Sequence, residues 1–297
     1  MSPVLGTRLA TLRHRLGEAE TTFECCDTDF HLRATGPRAE AGVTTGRRRA
    51  RALEARLNAF APDSAVATLN ETGAVVDDHV ARVVERALEY RDRTGGAFDV
   101  GHGAFEHDLK AYLRGTAADR PDLSERDRAD GPVVHVDGDR VEAAAPVDLN
   151  GLAKGYVVDR TREAVAGPGR TAFVSGGGDM TPPPGPVGVE SPYGGEDPLV
   201  VLDTDWAIAS SAGYRRERDG TDHLYDPRSG EIGGRHDVVT VLARRDCTEA
   251  DALATTLQTL PVADALALVG EWPGAEALVV HGGVFHRSDG FQDHVTA

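Results

Sequence analysis

The chain has 297 residues, with 48 Asp plus Glu against 32 Lys plus Arg and a formal charge of -16 at pH 7. That length supplies enough core for one large domain or two small ones. The acidic excess argues against nucleic acid or an anionic membrane bound through a general basic surface, and an anionic nucleotide would need local positive charge or a metal.

Heavy acidity, few lysines and few large aliphatics resemble halophilic proteins, whose carboxylates form a solvated surface while salt screens their repulsion. Three cysteines, Cys25, Cys26 and Cys247, make no disulfide framework, and a bridge between the adjacent pair would be strained. The expected setting is reducing and cytoplasmic. The N-terminal segment is charged and amphipathic, unlike a secretory signal, and no run approaches the ~18 apolar residues needed to span a membrane.

In chain order, residues 3–20 read as a helix, Thr21 to Ala34 as a strand, and Ala41 to Asn58 as a helix. Ala61-Pro-Asp-Ser64 is a turn before a short helical segment ending near Asn70, which also opens an Asn-Glu-Thr glycosylation match. Asp77 to Thr94 is an amphipathic helix with Val80, Val83, Val84, Ala87 and Leu88 on one face, ended by Gly95-Gly96. Residues 115–131 read as a polar loop, and Val133–Val136 with Arg140–Glu142 as a hairpin around Asp137-Gly138-Asp139. A helix over Gly151–Val165 follows, then a strand over Thr171–Val174 that runs into Ser175-Gly-Gly-Gly178. Pro182 to Gly188 is a loop, and strands alternate with turns from Val187 to Ala243. Helices over Glu249–Leu260 and Val262–Leu268 precede a closing hairpin over 277–287. Interleaved helices and strands give an α/β or α+β class without short-period repeats.

Lys110 and Lys154 are the two lysines of the chain. Lys154 lies in Val147-Asp-Leu-Asn-Gly-Leu-Ala-Lys-Gly-Tyr-Val-Val-Asp159, a glycine-flanked and otherwise apolar stretch. A compact ammonium on a slim stem suits a tight polar pocket or a phosphate. A helix residue snorkelling to water explains it equally well.

Other segments carry chemistry only in combination. Asp251 and Thr255 are four apart on one helix face, a hard oxygen pair suited to Mg²⁺, although an N-terminal helix carboxylate and a packing threonine explain them too. His223, before Tyr225-Asp-Pro227, sits where a proton shuttle or a plain Asp-Pro turn would both fit. Gly96-Ala-Phe-Asp99 allows close backbone approach to a ligand, or simply caps a helix. Ser175-Gly-Gly-Gly-Asp179 follows a strand but fits neither the dinucleotide fingerprint nor the Walker pattern. Ser210 and Ser211 lack a nucleophile elbow, and the histidines show no metal-cluster spacing.

Taken in order, these segments resemble the ApbE family, the FAD:protein FMN transferases. The resemblance rests on Phe60-Ala-Pro-Asp-Ser64 with Asn70, Gly96 to Asp99, Asp148 to Asp159, Gly176 to Asp179, Ala209 to Tyr214, His223 to Gly230 and Ala250 to Thr256. It implies an α+β, T-fold-related architecture with two interleaved α+β subdomains around mixed or antiparallel sheets. A helix over 1–20 would precede one domain over 21–297. It implies FAD as substrate, Mg²⁺ as cofactor, and an acceptor flavoprotein with a Thr or Ser flavinylation site as partner. By position, Ala97, Phe98, Asp99, Asp148, Lys154 and Tyr225 match FAD-contacting residues. Asp251 and Thr255, with the carbonyl of Gly151, match metal ligands, and His223 matches the histidine near the reacting phosphate, with Asp251 as a second candidate for the proton. Cys26-Asp-Thr28 stands where the family often has Met-Gly-Thr, and Ala254 stands where some members have a second carboxylate. An FAD pyrophosphatase and a flavin-binding protein without transferase activity are the other readings of the same residues.

Overall fold

Cys26 and Asp27 both take left-handed backbone angles, φ 54° and 55°, the geometry of a two-residue type I′ loop. They split the expected single strand over Thr21–Ala34 into a hairpin, β1 (Glu18–Cys25) and β2 (Thr28–Thr35), with Cys25 opposite Thr28. Cys-Asp lacks the Asn-Gly signature of such turns, so the alternation reads as one strand. In this computed structural model, residues 17–121, 134–195, 197–212 and 217–296 are described. The expected N-terminal helix lies mostly outside them, and its last positions, Glu18 to Glu20, belong to β1. Much of the polar loop over 115–131 also lies outside.

Helices α1 (Ala39–Leu57), α2 (Ala65–Thr72) and α3 (Asp78–Arg93) follow. Ser64 accepts from the Ala67 N–H, and Asp77 from those of His79 and Val80, each a cap worth about 1 kcal/mol. Asn70 on α2 grips the backbone of Val147 with both amide atoms, at 2.9 and 2.8 Å. That two-point clamp fixes the entry to the lysine segment and occupies the side chain of the glycosylation match.

Helix α4 (Gly103–Leu113) was not expected from the sequence, because Gly103 and His107 weaken its helical pattern. Short strands β3 (Ala74–Val76), β4 (Val134–Asp137) and β5 (Arg140–Ala143) form a small sheet in the order β3-β5-β4. Then come α5 (Asn150–Val165), β6 (Thr171–Gly176), β7 (Asp179–Met180), β8 (Val187–Val189), β9 (Val200–Leu202) and β10 (Ala207–Ser211). After a short ribbon, β11 (Glu217–Arg218) with β12 (Thr221–Asp222), come β13 (Val238–Ala243), α6 (Cys247–Thr259) and α7 (Val262–Gly270). Strands β14 (Ala275–His281) and β15 (Val284–Arg287) follow, then a 3-10 turn over Phe291–His294.

The main sheet has eight strands, β1-β2-β6-β7-β10-β13-β14-β15, every neighbouring pair antiparallel. Its centre is buried on both faces, so β13 is a continuous apolar run with one threonine. Val239, Val241 and Ala243 point to one face, where α1, α5 and α6 pack. Val238 and Leu242 point to the other, under β8, β9 and Phe291. The fold is α+β, with the small sheet and α2–α3 forming a second unit beside the main one.

Candidate active site

The approach of α5 to α6 sets the site. A Cβ on Gly155 would lie 2.5 Å from the Cys247 carbonyl oxygen and 2.9 Å from Asp251 Cβ, so only glycine permits this spacing. The contact lets the Gly155 N–H donate to Asp251 Oδ2 at 2.8 Å. A turn earlier on α5, the Gly151 carbonyl accepts from Thr255 Oγ1 at 3.4 Å. Asp159, two turns later, accepts from the Cys247 and Thr248 N–H groups and the Thr248 hydroxyl, locking the start of α6 onto α5.

Lys154 projects between these helices and the β6–β7 turn. Its Nζ donates to Asp179 Oδ2 in a short contact and lies 3.6 Å from Asp251 Oδ1. Both carboxylates are buried, and Asp179 Oδ1 has no hydrogen-bond partner among the described residues. Burial pushes the Asp251 carboxyl above its ordinary value, although Lys154 and the Gly155 N–H pull it down.

The other lysine makes a second buried ion cluster. Lys110 Nζ on α4 lies 2.6 Å from Asp148 Oδ2 and 2.9 Å from Glu106 Oε2. Burial opposes its charge, yet Glu106 and Asp148 hold its pKa above the ordinary lysine value. Burial and Asp148 push Glu106 up against the pull of Lys110. Tyr225 is raised well above its usual range by burial and by Glu106, whose carboxyl it bonds. Asp148 Oδ1 also accepts from the Asn150 N–H at 2.8 Å, capping the start of α5.

These clusters line two adjoining cavities of about 400 and 530 Å³, which share Asp27, Lys110, Asn150, Lys154 and His223. Gly151, Asp251, Thr255 and Tyr225 line the larger one. His223 is half-buried in a loop braced by Asp222, which accepts from the Leu224 and Gly234 N–H groups. Of the expected residues, Lys154, Asp251, Thr255, Gly151, His223 and Tyr225 therefore meet in one cleft. Asp148 lines neither cavity and stands behind Lys110, which does.

The Gly96–Asp99 loop is placed differently. Ala97 and Phe98 are buried in the main core, and Phe98 packs on Gly151, whose added Cβ would lie 3.0 Å from the ring. Asp99 accepts from Arg91 Nε and from the Gly101 N–H, both at 2.8 Å. This loop supports the Gly151 carbonyl from behind rather than lining the cavity. Gly213 and Tyr214 of the Ala209–Tyr214 segment lie outside the described residues. The sequence reading assigned no role to Glu106 or Lys110 and gave Asp179 no partner. The one signal for Lys110 was its rarity in a lysine-poor chain.

Asp251, Thr255 and the Gly151 carbonyl offer a hard oxygen set on a cavity wall, beside a carboxylate with an unpartnered buried oxygen. That chemistry fits Mg²⁺.

A profile of the ApbE family matches residues 26–279. A protein of Treponema pallidum (strain Nichols) named FAD:protein FMN transferase is 31% identical over 263 residues, covering 75% of this chain and 72% of that protein. The crystal structure of the ApbE protein of Thermotoga maritima matches at a TM-score of 0.84 and 25% identity, over 94% of this chain and all of that one. The flavin transferase ApbE of Vibrio cholerae matches in fold at 0.75 and 22% identity, over 93% of this chain and 99% of that one. The fold, the ordered motifs and these similarities place the chain in the ApbE family.

Proposed function

We propose that this protein transfers FMN from FAD to a Thr or Ser hydroxyl of an acceptor flavoprotein in a Mg²⁺-dependent reaction that releases AMP. The observation that carries the reading is the meeting of Lys154, Asp251, Thr255, the Gly151 carbonyl and His223 on one cleft. The acceptor oxygen attacks the FMN phosphorus as the bond to the AMP oxygen breaks. His223, on the wall shared by both cavities, takes the hydroxyl proton, and Asp251 serves as ligand. Asp251, Thr255 and Gly151 would hold Mg²⁺, which supplies charge neutralisation at the pyrophosphate when bound. Lys154 adds local positive charge, which a chain of formal charge -16 needs near an anionic substrate. Tyr225 and the Lys110–Asp148 pair shape the wall against which the flavin nucleotide lies.

A cytoplasmic, salt-rich setting belongs to the same proposal, based on the acidic excess and the unbridged Cys25, Cys26 and Cys247. Among the described residues, no helix is long and apolar enough to cross a membrane.

The test mixes the protein with FAD, Mg²⁺ and candidate acceptors in high salt. Flavin fluorescence that stays on the acceptor after denaturation, with AMP released in step, is the expected result. AMP release with no labelled acceptor would replace the transferase by a pyrophosphatase, and tight FAD binding without AMP by a binding protein. Asp251→Ala is expected to lower turnover by about a hundredfold or more, as for loss of a charge clamp on a transferring phosphoryl group. Normal transfer by that variant in Mg²⁺ removes Asp251 from its assigned role.

A further inference from the structure

Cys25 closes β1 and Cys26 opens the turn, where its left-handed backbone, φ 54°, brings two consecutive side chains together. Their sulfurs lie 3.8 Å apart. Helix α1 presents Glu54 at the same spot, and its Oε1 accepts from the Cys26 N–H at 2.6 Å. One ligand atom from each of the three residues lies within 4.8 Å of the others. Two thiolates on a tetrahedral zinc, each bonded at about 2.3 Å, stand about 3.8 Å apart. The observed sulfur separation matches that spacing and is far from the ~2.05 Å of a disulfide. Cys26 and Glu54 also line the smaller cavity, which leaves a path and a fourth position for water or another ligand.

We propose that Cys25, Cys26 and Glu54 form a binding site for a thiophilic divalent cation, with zinc as the reference ion, on the rim of the cleft. The site is distinct from the oxygen set of Gly151, Asp251 and Thr255. Sulfur donors select zinc-like ions, whereas carboxylate, hydroxyl and carbonyl oxygens select Mg²⁺, so one cleft can hold both without exchange. Binding replaces the two thiol protons, which pass to solvent. The side-chain hydrogen bond between the two thiols, burial and Glu54 push the Cys25 thiol far above its ordinary value.

The test is a titration of the reduced, flavin-free protein with Co²⁺, followed by Zn²⁺. Because it needs neither FAD nor acceptor, its outcome is independent of the transferase reading. The expected result is a sulfur-to-cobalt charge-transfer absorption that saturates at one equivalent and is displaced by Zn²⁺. Cys26→Ser should abolish the band, and Glu54→Gln, which keeps the acceptor for the Cys26 N–H, should weaken binding by about tenfold or more. On the unaltered protein, stoichiometric Zn²⁺ should protect Cys26 from alkylation by iodoacetamide. No charge-transfer band, an equal band in a folded Cys26→Ser variant, or alkylation indifferent to Zn²⁺ would overturn the site.

Discussion

Replacing Gly155 by alanine isolates the contact on which the site depends. The new Cβ would meet the Cys247 carbonyl oxygen at 2.5 Å and Asp251 Cβ at 2.9 Å, both on a buried helix that cannot swing aside like a flexible side chain. Forcing α5 and α6 apart costs about 1–3 kcal/mol as overpacking. Stretching the 2.8 Å bond from the Gly155 N–H to the buried Asp251 carboxylate costs about 1.5–3 kcal/mol more. Alanine returns about 1 kcal/mol of helix propensity. The balance is a loss of roughly 1.5–5 kcal/mol, and at about 2 °C per kcal/mol for a chain of this size Tm should fall by about 3–10 °C. Gly270, at the end of α7, is the control: an added Cβ there meets nothing within 4 Å. Gly270→Ala should be neutral or stabilising by up to about 1 kcal/mol. Differential scanning calorimetry of the two variants decides. If Gly155→Ala melts at or above the wild-type temperature, helix propensity outweighs the steric contact and the α5–α6 spacing is not what holds Asp251.

Lys110→Met leaves Glu106 and Asp148 buried without their counter-charge and should cost about 3–5 kcal/mol in urea denaturation, part of it recovered in a Glu106→Gln background. Strict additivity of the two changes would show that the cluster is not coupled. His79 is buried with Nε2 facing an Arg49 nitrogen at 2.7 Å and Nδ1 at 2.7 Å from the Tyr156 hydroxyl. Because Arg49 can only donate, Nε2 accepts and the imidazole is neutral. Burial, reinforced by Arg49, holds its pKa below the ordinary value. The unfolded chain therefore binds the extra proton first, and stability is lost as pH falls below about 6.5. Urea midpoints at pH 7.5 and 5.5 should fall less for His79→Asn than for the wild type, and equal falls would remove His79 from the acid limb.

What the sequence revealed divides along physical lines. Long-period signals were legible: Asp77 before an amphipathic run marked α3, and the Asp251–Thr255 spacing placed two oxygens on one face of α6. Signals that depend on tertiary approach were not. The Gly155 contact, the Asn70 clamp on Val147 and the burial of the Phe98 ring behind Gly151 join residues up to 96 positions apart, and no local pattern encodes them. The β1–β2 turn was missed because Cys-Asp carries no turn signature, and α4 because the poor helix formers Gly103, His107 and Asp108 interrupt its first two turns.

The two lysines show why composition carried further than any single motif. An arginine in place of Lys154 would bring a planar fork into a space where one nitrogen serves two buried carboxylates, Asp179 and Asp251. The same holds for Lys110 between Glu106 and Asp148. In each case a small, rotatable ammonium is bonded from two sides inside packed helices, which a bidentate guanidinium cannot match without opening the wall. A chain that uses arginine almost everywhere else therefore keeps lysine where the cleft wall requires a point charge. The two lysines offset two of the four carboxylates they contact, and both line the cavities, so an anionic dinucleotide meets two ammonium groups on the cleft wall of an acidic protein.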